Sequence, residues 1–250
     1  MARNRRSTRD TPQFLHVWQW NCRRYRRKRR ALTQILATER ITSDVIALQE
    51  LQCTPTLPGY TTYTDVTNNT PHRTATLVFK HVTVIEDILQ STSISHVLLE
   101  LVLCSRSSSS LYVLNVYSAP NARNDHFSHL FALLCKLGKH IVIVGDFNTP
   151  HPAWGYATET PKDRRLAQVL AIHRMTLLTE PHQPTRLARH PPPPMRESPL
   201  SALAFFESPT PPDSTPLQVA TTWTFAGISD SWLPPVPLSL FHKDSCPATN

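Results

Sequence analysis

The chain has 250 residues, 40% of them hydrophobic, and a formal net charge of +8, so it is neither a peptide nor a wholly disordered polymer. No apolar run approaches the roughly 18 residues of a membrane span, and the arginine-rich beginning has no apolar signal segment. Five widely spaced cysteines without a Cys-x-x-Cys pair do not form a zinc-binding pattern. We therefore expect a soluble intracellular protein with no membrane partner.

The charge is concentrated at the beginning of the chain. Residues 1–30 contain eleven arginines and lysines and a single acid, Asp10, which leaves a net charge of −2 for residues 31–250. A basic segment beside a near-neutral body indicates a polyanionic partner such as nucleic acid. The alternatives are a solvated arm, a localisation signal or a mitochondrial presequence.

The first half of the chain alternates between strand and helix patterns. Residues 14–21 alternate apolar and polar side chains as a half-buried strand does, and residues 24–38 place Tyr25, Leu32 and Ile35 on one helical face. Residues 44–50 form a short apolar run, typical of a strand that is buried on both faces. The prolines and asparagines of residues 55–69 predict a loop.

The second half continues the alternation and then changes composition. The patterns predict strands at 75–79, 97–104, 111–117 and 141–144, and helices at 127–137 and 162–175. Such alternation predicts an α/β domain with buried sheets. Residues 181–250 hold 15 of the 23 prolines, and proline removes backbone donors from a sheet. We therefore expect this tail to supply no regular central strand.

Polar side chains follow three of the predicted strands at the point where each strand ends. They are Asn21, Glu50 and Asp146. Ligands of α/β proteins bind at the carboxyl ends of strands, and hard oxygen donors suit Mg²⁺ or Mn²⁺. The pattern thus indicates a magnesium site with manganese as a possible substitute, whereas acids that are simply solvated are the alternative.

Five short motifs resemble, in this order, the endonuclease domain of non-LTR (LINE-type) retrotransposons. They are QWN at 19–21, IALQE at 46–50, NVYSAP at 115–120, GDFNTPHPAWGY at 145–156 and PTRL at 184–187. That domain belongs to the endonuclease/exonuclease/phosphatase superfamily, which includes the apurinic/apyrimidinic endonucleases. The resemblance covers residues 14–187 and implies a four-layer α/β sandwich of two packed mixed β-sheets flanked by helices.

The resemblance also implies roles for individual residues. Glu50 corresponds to the metal-binding carboxylate, assisted by Asn21, and Asp146 to the residue that deprotonates the attacking water. Asn148 would orient the phosphate, and Tyr117 would supply a hydroxyl to it. We expect the DNA to be contacted by the basic residues after the first strand, with Trp154 available to stack on a base; the basic residues are Arg23, Arg24, Arg26, Arg27 and Lys28.

The sequence departs from the family pattern after Leu187. The family continues with a Pro-Asp-Leu strand start and ends with a Ser-Asp-His triplet, whereas this chain has Pro-Asp-Ser at 212–214 and Ser-Asp-Ser at 229–231. Asp230 is the remaining candidate for the last catalytic carboxylate, and Ser231 replaces the expected histidine. Residues 188–250 are either a decayed or frame-shifted remnant of the last strands or a true variant ending.

These observations predict three segments: a basic arm at 1–13, an endonuclease-like domain at 14–187 and a proline- and serine-rich tail at 188–250. The predicted function is Mg²⁺-dependent nicking of target DNA, with a reverse transcriptase on another polypeptide as a partner and the nucleus as the location. One alternative is a catalytically dead derivative that only binds nucleic acid. The other is a phosphodiesterase of the same superfamily that acts on a small or lipid phosphoester.

Overall fold

The computed structural model describes residues 14–38, 43–65, 72–87, 94–102, 110–122, 127–135, 140–154, 156–178, 202–207, 218–223 and 237–238. Among these, no helix has the length and apolar character needed to cross a membrane. In chain order the elements are β1 (Phe14–Asn21), α1 (Tyr25–Thr38), β2 (Val45–Gln49), β3 (Tyr60–Thr64), β4 (Thr74–Phe79), β5 (Thr83–Asp87), β6 (Ser95–Val102), β7 (Ser110–Tyr117), α2 (Phe127–Cys135), β8 (His140–Asp146), α3 (Pro161–Ile172), β9 (Thr176–Leu177), β10 (Ala202–Glu207), β11 (Gln218–Trp223) and β12 (Pro237–Leu238).

Most of the predicted elements are present within a few residues of their predicted bounds. The loop predicted over 55–69 is the main exception, because β3 occupies Tyr60–Thr64. Its sequence, Tyr-Thr-Thr-Tyr-Thr, favours a strand, but Pro58 and Gly59 just before it obscure that preference. Strand β5, at Thr83–Asp87, was also not predicted.

The strands form two mixed six-stranded sheets. The first has the order β12-β11-β1-β2-β4-β3, and the second has the order β5-β6-β7-β8-β10-β9. In the first sheet β1 and β2 are parallel, and in the second β7 and β8 are parallel. Parallel neighbours end at the same edge of a sheet, so each sheet brings the ends of two strands together.

Three hydrophobic clusters connect the layers. Val17, Ala47, Val113 and Val144 belong to the cluster between the two sheets. The other faces of the same strands are covered by helices: α1 packs on the first sheet through residues such as Leu32, and α2 and α3 pack on the second. The order helix, sheet, sheet, helices confirms the predicted four-layer α/β sandwich.

The expectation that the proline-rich tail supplies no regular central strand is wrong. Strand β11 lies parallel to β1 in the first sheet, and β10 lies antiparallel to β8 in the second. Both strands are segments without proline, ALAFFE and QVATTW, that lie between the proline clusters. Pro237 lies in β12, an edge strand, where a missing backbone donor is tolerated. Local proline spacing, rather than the average composition, decides where strands form.

Candidate functional site

The site lies where the carboxyl ends of the two pairs of parallel strands meet. Asn21 ends β1, and Glu50 directly follows β2, whose register pairs Asn21 with Gln49. On the second sheet, Tyr117 and Asp146 end β7 and β8 and are partners in the register. The two sheets therefore each contribute one carboxylate to the same edge of the sandwich.

The Asn21 side chain connects these two carboxylates. Its amide nitrogen Nδ2 donates to Glu50 Oε1 at 2.9 Å and to Asp146 Oδ2 at 2.5 Å. Its oxygen Oδ1 accepts the backbone N–H of Arg23 at 3.2 Å. The neutral amide thus separates two like charges and supplies a donor to each of them.

The metal-assisting role of Asn21 stays a prediction. In the structure, Asn21 presents its amide nitrogen to the two carboxylates and its oxygen to the Arg23 backbone N–H. Asn21 is therefore placed as a donor that holds Glu50 and Asp146 at a fixed spacing. Among the described residues, Glu50 and Asp146 supply carboxylate oxygens at this edge.

Asp146 is almost completely buried, with an exposed fraction of 1%. Burial raises the pKa of its carboxyl to about 7, and the charge of Glu50 adds to the rise. Hydrogen bonds from Asn21 and from the backbone N–H of Asn148, together with the charge of Arg23, oppose the rise in this pKa. A carboxyl with a pKa near neutrality is suited to accept a proton during a reaction.

Tyr117 and Asn148 place two neutral polar groups beside Asp146. Burial, followed by the charges of Glu50 and Asp146, raises the pKa of Tyr117 to about 12, so the phenol keeps its proton at neutral pH. The Nδ2 of Asn148 donates to the Ser118 carbonyl at 2.9 Å, and its backbone has a φ of +49°. Asparagine adopts this left-handed conformation more readily than most residues.

Two features of the strands hold this edge in place. Asn115, in β7, accepts a hydrogen bond from Gln49 Nε2 at 2.6 Å and donates to the Ala75 carbonyl at 2.9 Å, which joins the two sheets beneath the site. Gly145 allows β7 and β8 to approach closely, because an added Cβ would lie 2.1 Å from the Val116 backbone oxygen.

The predicted basic surface begins beside Glu50. The backbone N–H of Arg24 donates to the Glu50 carbonyl at 2.8 Å, and Arg23 and Arg24 both have positive φ, as does Glu50. The side chains of Arg23, Arg24, Arg26 and Arg27 are exposed, and Lys28 is half-buried with its Nζ 5.5 Å from the Trp20 ring centroid. The β1–α1 turn therefore presents cations directly next to the carboxylates.

Trp154, which is predicted to stack on a nucleobase, is buried in the structure. Trp154 is 6% exposed and belongs to the core beneath α3, and its indole N–H donates to the Thr149 carbonyl at 2.6 Å. Among the described residues, the ring packs in the core and shapes the loop after β8. Asp230, the candidate for the last catalytic carboxylate, lies outside the described residues, as do Asp213 and Ser231.

Sequence reasoning missed Arg73, which directly precedes β4. Its guanidinium carbon lies 6.0 Å from the centroid of the Tyr117 ring. A single arginine between a loop and a strand has no distinctive sequence pattern. Arg73 reaches this edge through the antiparallel pairing of β4 with β2. Predicting Arg73 would have required knowledge of that pairing.

The donor set at this edge fits a hard divalent cation. Within the described ranges, no cluster of three or more His, Cys, Asp and Glu side chains is positioned to hold a metal. Glu50 and Asp146 are two carboxylates, which matches the way Mg²⁺ is held by one or two carboxylates together with phosphate and water. A bound substrate phosphate would complete such a set.

The chain is similar to proteins of known structure over most of its length. The Endonuclease-reverse transcriptase family matches residues 111–194, a range that includes Tyr117, Asp146 and Asn148. The endonuclease domain of TRAS1, a telomere-specific non-LTR retrotransposon, aligns with 19% identity and a TM-score of 0.61, covering 76% of this chain and 82% of that domain. No curated protein sequence matches the chain.

Two further structures share the fold. Danio rerio TDP2, solved with a single-stranded DNA product, aligns with 16% identity and a TM-score of 0.52 over 82% of this chain and 86% of that one. The human Nocturnin catalytic domain with a bound sulfate aligns with 16% identity and a TM-score of 0.50 over 76% and 81%. The resemblance stated from the sequence motifs is confirmed, and the chain has the fold of the endonuclease/exonuclease/phosphatase superfamily.

Proposed function

We propose that this chain is a divalent-metal-dependent DNA endonuclease of the non-LTR retrotransposon kind, which nicks target DNA by hydrolysing a phosphodiester bond. The observation that carries the proposal is the Asn21 amide between Glu50 and Asp146, which unites carboxylates from both sheets beside an exposed basic turn. The matched family and the TRAS1 endonuclease domain support the choice of DNA over other phosphodiesters.

Each residue of the edge has a role in the proposed reaction. Asp146 accepts a proton from the attacking water, whose oxygen forms a new bond to phosphorus while the bond to the 3′ oxygen breaks. The 3′ oxygen leaves with its charge and takes a proton from solvent, which gives a 3′ hydroxyl and a 5′ phosphate. Tyr117 and Asn148 donate hydrogen bonds to the phosphate oxygens, which gain negative charge in the transition state. Glu50 would hold a divalent cation, which would stabilise charge on the phosphate and on the leaving oxygen.

The DNA would be bound by the basic surface beside the site. Arg23, Arg24, Arg26, Arg27 and Lys28 supply positive charge, and binding through phosphates weakens steeply as salt is added. The nick would leave a 3′ hydroxyl that a reverse transcriptase on another polypeptide extends, in the nucleus. Adding a DNA polymerase to the nicked product tests for this 3′ hydroxyl, because the polymerase extends only such an end. If no nicked strand were extended, the proposed product would be contradicted.

A plasmid-nicking assay tests the proposed activity. Supercoiled DNA with Mg²⁺ should be converted to open circles by the wild type, and Glu50→Gln and Asp146→Asn should each lower the rate by about 10²-fold or more. Glu86→Gln is the matched control, because Glu86 is an exposed glutamate on β5. Binding without nicking by the wild type would favour a catalytically dead derivative, and nicking by both site variants at the wild-type rate would refute the assignment.

The replaced histidine of the family pattern is tested separately. Ser231 stands where the resemblance places a histidine, and general acid–base groups contribute about 10²–10⁴-fold in rate. If the chain otherwise forms a complete site, Ser231→His should increase the nicking rate. An unchanged rate would show that residue 231 does not take the position of that histidine.

A further inference from the structure

Arg73 lies on the β4 side of the site. It directly precedes Thr74, which the antiparallel β2–β4 register pairs with Gln49, the residue before Glu50. The basic β1–α1 turn, with Arg23 and Arg24, lies beside Glu50 on the β1 side, where the Arg24 N–H bonds to the Glu50 carbonyl. The carboxylate edge is therefore flanked by arginine from two different elements.

The backbone of Arg73 is anchored by a buried acid. Asp65, 2% exposed, accepts the Arg73 N–H through Oδ2 at 3.3 Å and the Ser95 hydroxyl through the same oxygen. Its other oxygen, Oδ1, lies 3.2 Å from His72 Nδ1. These contacts fix the point from which the Arg73 side chain projects, although the side chain itself is exposed.

The Arg73 side chain is positioned without a salt bridge. Its guanidinium carbon lies 6.0 Å from the Tyr117 ring centroid, and among the residues that the structure describes no carboxylate forms an ion pair with it. An aromatic face orients a planar guanidinium while leaving its N–H groups free. Such a group is a bidentate binder for phosphate.

We propose that Arg73 is a phosphate-positioning residue, which binds a backbone phosphate of the DNA across the Tyr117 ring and thereby sets the scissile phosphate against Asp146. The inference rests on the proposed nuclease function. It adds a second cationic contact, from the residue before β4, to the contacts of the basic turn after β1. A substrate would then be held from two sides of the carboxylate edge, which favours a polymer with several phosphates over a small phosphoester.

Arg73→Ala and Arg73→Lys separate charge from geometry. We expect Arg73→Ala to lower kcat/KM for plasmid nicking by about 10- to 100-fold, as for loss of a hydrogen bond to a charged group. Arg73→Lys should keep most of the binding but not the rate, since lysine lacks the planar fork. Arg174→Ala is the control, because Arg174 is an exposed arginine after α3. Equal unfolding temperatures would show that the variants fold.

A binding measurement distinguishes failure of this inference from failure of the nuclease function. Duplex DNA is titrated with the Asp146→Asn protein at several salt concentrations, with and without Arg73→Ala. Loss of one phosphate contact should reduce the slope of log K against log salt by about 1. A reduced slope in a protein whose wild type does not nick would overturn the nuclease function and retain the Arg73 contact. Behaviour of Arg73→Ala identical to that of Arg174→Ala, or no salt-dependent DNA binding by the parent protein, would overturn the inference.

Discussion

Asn21 and Asp146 show how single residues define this edge. Two carboxylates from different sheets would repel each other, and Asp146 is also removed from water, so its ionised form is costly. The Asn21 amide offsets part of this cost by donating to both acids. The sequence identified both residues as strand-end polar groups, but the direction of the amide depends on the Arg23 backbone and was not predictable from the pattern.

The raised pKa of Asp146 predicts a pH-dependent stability in the absence of metal. The folded state holds this proton up to about pH 7, whereas the unfolded state releases it near pH 4. The stabilising contribution is thus complete below about pH 4 and is lost as the pH rises through 7. In urea unfolding with EDTA, the stability of the wild type should therefore fall relative to Asp146→Asn between pH 5 and pH 8. A constant difference between the two proteins across this range would contradict the prediction.

Removing the Tyr117 hydroxyl tests its assigned role. Among the described contacts the phenol oxygen has no hydrogen-bond partner, so Tyr117→Phe should leave the unfolding temperature nearly unchanged. If the hydroxyl donates to the phosphate, the nicking rate should fall about 10-fold or more. A control, Tyr63→Phe, alters a half-buried tyrosine on β3 and should nick like the wild type. A full rate for Tyr117→Phe would remove Tyr117 from the mechanism.

At the scale of elements, the site depends on how closely strands approach. The helices and the apolar strands before residue 180 were predictable because their apolar spacing matches one periodicity over many residues. The packing of one sheet on the other was not predictable, because it depends on long-range contacts. One example is the hydrogen bond between Gln49 and Asn115, which are 66 residues apart. Arg73 was missed for the same reason, since only the β2–β4 pairing brings it to the edge.

Gly145→Ala should disrupt the pairing of β7 with β8. The added Cβ would lie 2.1 Å from the Val116 backbone oxygen, and backbone cannot move aside as a flexible side chain does. We expect a loss of a few kcal/mol in the free energy of unfolding, measured by chemical denaturation. Gly59→Ala is the comparison: its Cβ would contact the end of the Phe79 side chain at 3.1 Å, and its φ of +84° carries a strain of about 1 kcal/mol. A smaller loss for Gly145→Ala than for Gly59→Ala would contradict this account.

At the scale of the whole molecule, the tail completes both sheets. The average proline content led to the wrong expectation, whereas the backbone pairs β11 with β1 and β10 with β8. Where the endonuclease-like domain ends remains a prediction, as does the origin of residues 188–250. The order of the motifs predicted the superfamily fold, but composition alone could not predict how short proline-free segments pair.

Truncation after residue 187 should therefore destabilise the chain. The truncated protein would expose the β1 and β8 edges that β11 and β10 cover, so we expect a lower unfolding temperature and aggregation. In the full chain, limited proteolysis should yield a protected core that extends beyond residue 223. A protected core that ends near residue 187, with the same unfolding temperature as the full chain, would show that the tail strands do not contribute.

In the proposed reaction, Glu50 and Asp146 act as one catalytic unit built from two sheets. The most direct measurement compares plasmid-nicking rates of Glu50→Gln, Asp146→Asn and the double variant, with Mg²⁺ and the Glu86→Gln control. Residues that act as a unit are non-additive, so the double variant should be about as slow as the slower single variant. The proposal would be contradicted if the fold-loss in rate of the double variant equalled the product of the two single losses. A single variant that nicks at the wild-type rate would also contradict it.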